Sequence, residues 1–131
     1  MKVKPQKEPP RRPLTATELE MMNVIWRLGS CTVSQVQAEL RPERELAYSS
    51  VSTIIRILEQ KGFVTSRKVG RGHQYCAAMP KRDYQALSLE HVVKQVFDDT
   101  PSLLVQHLLD SKSLTENELG EIRALLRKKG D

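Results

Sequence analysis

The stretch AYSSVSTIIRI, residues 47–57, decides how this chain is read. Val51, Ile54, Ile55 and Leu58 recur at the three-to-four spacing of a helix with one buried stripe. The other face carries Tyr48, Ser49, Ser50, Ser52, Thr53 and Arg56, where an exposed helix ordinarily carries Glu and Lys. Ser and Thr are poor helix formers. A face of short hydroxyls, one phenol and one guanidinium therefore serves something other than helix stability. No acid stands between Tyr48 and Arg56, and Glu59 comes only at the far end.

Upstream lie two further helical patterns. Thr15 with Glu18 makes a capping box, and Leu14 with Leu19 a hydrophobic staple. The helix they open turns Leu19, Met22, Ile25 and Trp26 inward and stops at Gly29, with Trp26 read as core rather than as a stacking platform for a ligand. Thr32 and Gln35 repeat the capping pattern before a short helix with Val33, Val36 and Leu40 inward, which Pro42 closes. The third helix is expected over residues 47–61, with Gly62 behind it. FVTSRKVGRGHQYCAAM, residues 63–79, then reads as a β-hairpin. Its strands are expected at residues 63–69 and 73–78 around a Gly70-Arg71-Gly72 turn, and Pro80 ends it.

Helix, helix, helix, hairpin is the layout of a winged helix-turn-helix, whose third helix enters a DNA major groove. The hydroxyl face then has a purpose. Short side chains let the helix backbone approach, and they donate to phosphates or base edges. Tyr48 can reach a phosphate or a sugar, and Arg56 a phosphate or a guanine. Arg67, Lys68 and Arg71 surround the two glycines of the hairpin tip, as suits a wing that follows a nucleic-acid backbone or a minor groove. The alternative is a winged helix that serves as a protein-interaction module without DNA binding.

Charge divides the chain. Residues 1–13 hold five Lys/Arg against one acid, residues 14–82 ten against six, and residues 83–131 six against nine. The front can approach a polyanion, and the tail is a poor candidate for that task. The expected fold class is mainly α with a small β-hairpin wing. A disordered basic arm over residues 1–13, read as a solvated tail or as a source of added phosphate contacts, precedes a winged-helix DNA-binding domain at residues 14–80. A helical dimerisation region follows at residues 81–131.

In that last region Tyr84, Leu87, Val92, Val93, Val96 and Phe97 mark a helix. Thr100 and Pro101 start a second. Leu114, Thr115, Glu118 and Leu119 repeat the opening device before a third, whose last turn holds Arg127, Lys128 and Lys129 where the helix dipole favours cations. Three short helices with apolar stripes have little core of their own. They are expected to bury Val93, Val96, Phe97, Leu104, Leu108, Leu119, Ile122, Leu125 and Leu126 against a second copy, the alternative being packing onto their own winged domain.

The composition offers no secretory signal and no apolar run long enough to span a membrane, so a cytoplasmic location without membrane insertion is expected. Cys31 and Cys76 suggest no disulfide framework. They and His73, His91 and His107 have no metal-ligand spacing, and Cys76 is expected in or near the core. No nucleophile motif or phosphate loop is present, so neither enzymatic activity nor a metal or cofactor is expected. His91 and His107 stand among apolar helical positions, as at a dimer interface.

The segments LTATELEMMNVIW, LAYSSVSTIIRILEQKGFV, GRGHQY and SLLVQHLLDSKSLTENELGEIRALL resemble the penicillinase-repressor (BlaI/MecI/CopY) family of winged-helix bacterial transcriptional regulators. That resemblance implies a homodimeric repressor on a palindromic operator, derepressed by a signal, with a membrane sensor-protease as a candidate partner. Two departures accompany it. Members often carry a cation where this chain has Ile57, and here the cation is Arg56. The Asn-Phe bond cut in antibiotic-responsive members is absent as such, with Gln106-His107 near the matching point. The copper branch's paired cysteines are missing from the LRKKGD end, which argues against copper sensing by that route.

Overall fold

The computed structural model describes residues 12–130, so the expected basic arm lies outside the described residues except for Arg12 and Pro13. Along the chain come α1 (Ala16–Leu28), α2 (Val33–Leu40), α3 (Tyr48–Gln60), β1 (Val64–Val69), β2 (Gly72–Ala77), α4 (Lys81–Val96), α5 (Pro101–Asp110) and α6 (Glu116–Gly130). The fold is mainly helical with one antiparallel hairpin. It forms two compact units, one ending at Leu89 and the other beginning at Glu90. The boundary expected after residue 80 falls instead within α4, because Tyr84 belongs to the core of the first unit.

Local chemistry sets the first helices. The Thr15 hydroxyl accepts from the Glu18 N–H, and the Glu18 carboxylate accepts from the Thr15 N–H. Thr32 and Gln35 do the same at α2. Each box satisfies backbone donors that a helix start otherwise leaves open. α1 then buries Met21, Met22 and Ile25, α2 buries Val36, and α3 buries Val51, Ile55 and Leu58. Burying each such side chain contributes roughly 1.5–3 kcal/mol before entropy is counted. Leu19 and Trp26 are only half-buried. The Trp26 indole N–H donates to the Met79 carbonyl at 2.9 Å, and its ring lies 5.6 Å from that of Tyr84. The Tyr84 hydroxyl accepts from the Leu14 N–H at 2.8 Å, which ties the start of α4 to the start of α1.

The hairpin differs from expectation in three details. Val69 pairs with Gly72, so the turn is Gly70-Arg71 alone, and Gly70 takes φ 61°. A positive φ at the first central position only is the type II′ pattern, which matches the strand twist. Phe63 precedes β1 as a buried residue rather than starting it. Cys76 is exposed, contrary to the expected core position. Alternation explains it: Tyr75 is buried, so its neighbour in the strand faces outward. Cys31 is buried and pairs through its backbone with Tyr75, its N–H donating at 2.9 Å and its carbonyl accepting at 2.7 Å. The hairpin is thus anchored to the α1–α2 connection.

In the second unit, Asp98 and Asp99 both adopt positive φ, 53° and 56°, in the turn after α4. Thr100 is the N-cap of α5 and Pro101 its first residue, but the Thr100 hydroxyl donates to the Asp98 carbonyl rather than capping. Thr115 and Glu118 form the expected reciprocal pair at α6. Val93 is buried, and Phe97, Leu104, Leu119 and Ile122 are half-buried. Val96, Leu108, Leu125 and Leu126 are exposed, the last two at 66% and 67%, and so are Val105 and Leu109. His91 and His107 are exposed as well, with the His107 ring 5.4 Å from Phe97. Among the described residues no helix is long and apolar enough to cross a membrane, and no group of three or more His, Cys, Asp or Glu could hold a metal ion.

Candidate nucleic-acid interface

The exposed face of α3 follows from its helical spacing. Tyr48, Ser52 and Arg56 stand four apart and form one stripe. Ser49 and Thr53 form the adjoining stripe, where the Thr53 hydroxyl donates to the Ser49 carbonyl at 2.9 Å. That bond folds the side chain against its own helix and keeps the surface low. Ser50 is exposed one residue further round. No side chain caps the start of α3, and its first turn holds no acid, in contrast to α1.

The first stripe forms one wall of a concavity of about 360 Å³. Arg71, Gly72, His73 and Tyr75 of the hairpin line it as well, as do Thr32 and Ser34 at the start of α2. The structure therefore brings Tyr48, Ser52 and Arg56 together with Arg71. Ser49, Ser50 and Thr53 lie outside this hollow on the open surface of α3.

The hairpin register separates the two remaining wing cations. Lys68 pairs with His73 and Arg67 with Gln74. Opposed residues share a face, and successive residues alternate. Lys68 thus lies on the face of His73, Tyr75 and Ser66, the side from which Ser66 donates to the Glu59 carboxylate of α3. Arg67 lies on the far face with Gln74 and Cys76. Two adjacent cations of one strand do not line the same surface.

Three other cations of the first unit are paired. Arg27 sits 3.1 Å from Glu39, Arg44 3.3 Å from Glu20, and Lys61 2.7 Å from Glu18. Arg56, Arg67, Lys68 and Arg71 take part in no ion pair among the described residues. Among the lining residues the Tyr75 phenol stays neutral, since burial pushes its pKa up, Glu59 adds to the rise, and Arg56 opposes it. The concavity thus combines hydroxyl donors and exposed cations. Thr32, Ser34 and His73 were not among the residues expected here. The capping box hints at the place of Thr32, and the hairpin pattern makes His73 a polar residue of the wing.

Hollow, helix stripe and wing define a winged helix-turn-helix of the DNA-binding kind. The chain belongs to the penicillinase repressor family, whose model matches residues 14–128. It is 24% identical over 116 residues to the methicillin resistance regulatory protein MecI of Mammaliicoccus sciuri, covering 88% of this chain and 94% of that protein. It is 25% identical over 113 residues to the penicillinase repressor of Bacillus licheniformis, covering 86% and 88%. The solution structure of the DNA-binding domain of the repressor BlaI resembles it with a TM-score of 0.52 at 29% identity, over 60% of this chain and 94% of that one.

Proposed function

We propose that this chain is a cytoplasmic, homodimeric transcriptional repressor that binds a palindromic operator. α3 of each copy lies in a major groove, and the wing lies on the adjoining backbone. The observation that carries this reading is the hollow lined by Tyr48, Ser52, Arg56 and Arg71, its cations unpaired among the described residues. Affinity comes largely from Lys/Arg–phosphate contacts and weakens steeply with salt. The exposed Val96, Leu108, Leu125 and Leu126 supply the contact with the second copy, and two-fold symmetry then requires a two-fold site. An inducing signal releases the operator. Cleavage in the second unit, by a membrane sensor-protease, is one route, since it would abolish the gain from holding two half-sites at once.

The experiment mixes purified protein with sheared DNA of its own organism at physiological salt and sequences what is retained. A palindromic motif upstream of a few genes, bound by two copies in sedimentation, is the expected result. Uniform salt-labile retention, or none, overturns the reading.

A further inference from the structure

His73 lines the concavity between α3 and the wing, yet it neither caps an element nor packs in the core. It makes no side-chain hydrogen bond or ion pair among the described residues, and its one ring neighbour is Tyr75, with centroids 6.4 Å apart. The groups around it are mostly cationic. Lys68 is its cross-strand partner, and Arg71 stands two residues before it at the tip. Tyr48 and Arg56 of α3 line the same hollow, and Tyr75 lies beside it. α2 contributes Thr32 and Ser34, which carry no charge. Glu59 stands further from the tip, level with Ser66, whose hydroxyl it accepts.

A neutral imidazole adds little to such a phosphate-binding wall. An imidazolium adds another cation and two N–H donors. A phosphodiester stays ionised throughout this pH range and favours the charged form of a neighbouring base. We propose that His73 contacts the DNA backbone as the imidazolium, so that DNA binding takes up a proton. This rests on the repressor reading above and adds a residue and a pH dependence to it.

The test measures binding of a fluorescein-labelled mixed-sequence duplex of about 30 base pairs at low salt, by anisotropy, since the contact is to the backbone. Wild type should bind about fivefold tighter at about pH 6 than at about pH 8, with a salt slope steeper by about one at the lower pH. His73→Gln should lose both differences. His73→Arg should bind at the higher pH as wild type does at the lower, and should be flat with pH. His91→Gln and His107→Gln, outside the first unit, should keep the wild-type profile. A wild type indifferent to pH overturns the inference, as does a His73→Gln protein that keeps the dependence or a His73→Arg protein that follows it. In each of those cases DNA binding itself survives. Absence of binding at either pH and low salt overturns the repressor reading, and this inference with it.

Discussion

Lys61 Nζ lies 2.7 Å from Glu18 Oε2, joining the residue after α3 to the first turn of α1. Glu18 is 7% exposed and is also the capping-box carboxylate of its own helix. One side chain therefore caps the start of α1 and holds the residue after α3. Glu18→Ala should cost about 2 kcal/mol, because the capping-box acceptor and one partner of a half-exposed ion pair go together. Lys61→Met should cost less, about 1 kcal/mol, since Lys61 is half exposed and Thr15 still donates. Urea titrations would measure both, and equal costs would contradict the dual role.

The same pair predicts a pH dependence. Burial by itself would raise the Glu18 pKa, but hydrogen bonds from Lys61 and Thr15 and the Lys61 charge outweigh it and hold the carboxyl below its ordinary 4.5. The folded chain then binds this proton less firmly than the unfolded chain does. Its stabilisation is complete above the ordinary value and is lost as pH falls through the folded one. The stability gap between wild type and Glu18→Gln should narrow on acidification from about pH 6 to about pH 3, as thermal melts would report.

On DNA, the face on which each cation lies should rank them. Arg56→Ala should lose about 1–3 kcal/mol of operator binding if the guanidinium reads a base, with altered sequence preference. Lys68→Ala should lower the salt slope by about one. Arg67→Ala, on the far face of β1, should change that slope less than Lys68→Ala does. Equal effects from the two wing residues would mean that the wing lies on DNA by its edge, with both faces in reach.

Gly70 and Gly72 should behave differently despite equal room. A Cβ at either would meet nothing within 4 Å, but only Gly70 has a positive φ, 61°. Gly70→Val should cost about 1–2 kcal/mol through backbone strain alone. Gly72→Ala should stay within about 0.5 kcal/mol of wild type. Chemical denaturation of the two variants separates backbone strain from crowding.

Leu125→Glu combined with Leu126→Glu should convert the protein to a monomer in sedimentation. It should weaken operator binding at least tenfold and leave binding of a single half-site unchanged. Retention of the dimer would move the interface to other exposed apolar positions of the second unit, Val92 and Val96 on α4 or Val105, Leu108 and Leu109 on α5.

What the sequence determined by itself was local. The boxes at Thr15/Glu18, Thr32/Gln35 and Thr115/Glu118 join residues three apart, so spacing alone specifies them. The buried stripe of α3 follows from helical periodicity, and its hydroxyl face is the remainder. Tertiary structure decided whatever depends on partners distant in the chain. Cys31 meets Tyr75 44 residues away, and Glu18 meets Lys61 43 residues away. The outward turn of Cys76 and the place of His73 in the hollow depend on which residue of β2 is anchored, since a shift of one residue exchanges the two faces of a strand. Pairing Tyr75 with Cys31 puts His73 in the hollow that Arg56 lines and sends Cys76 and Arg67 to the other face.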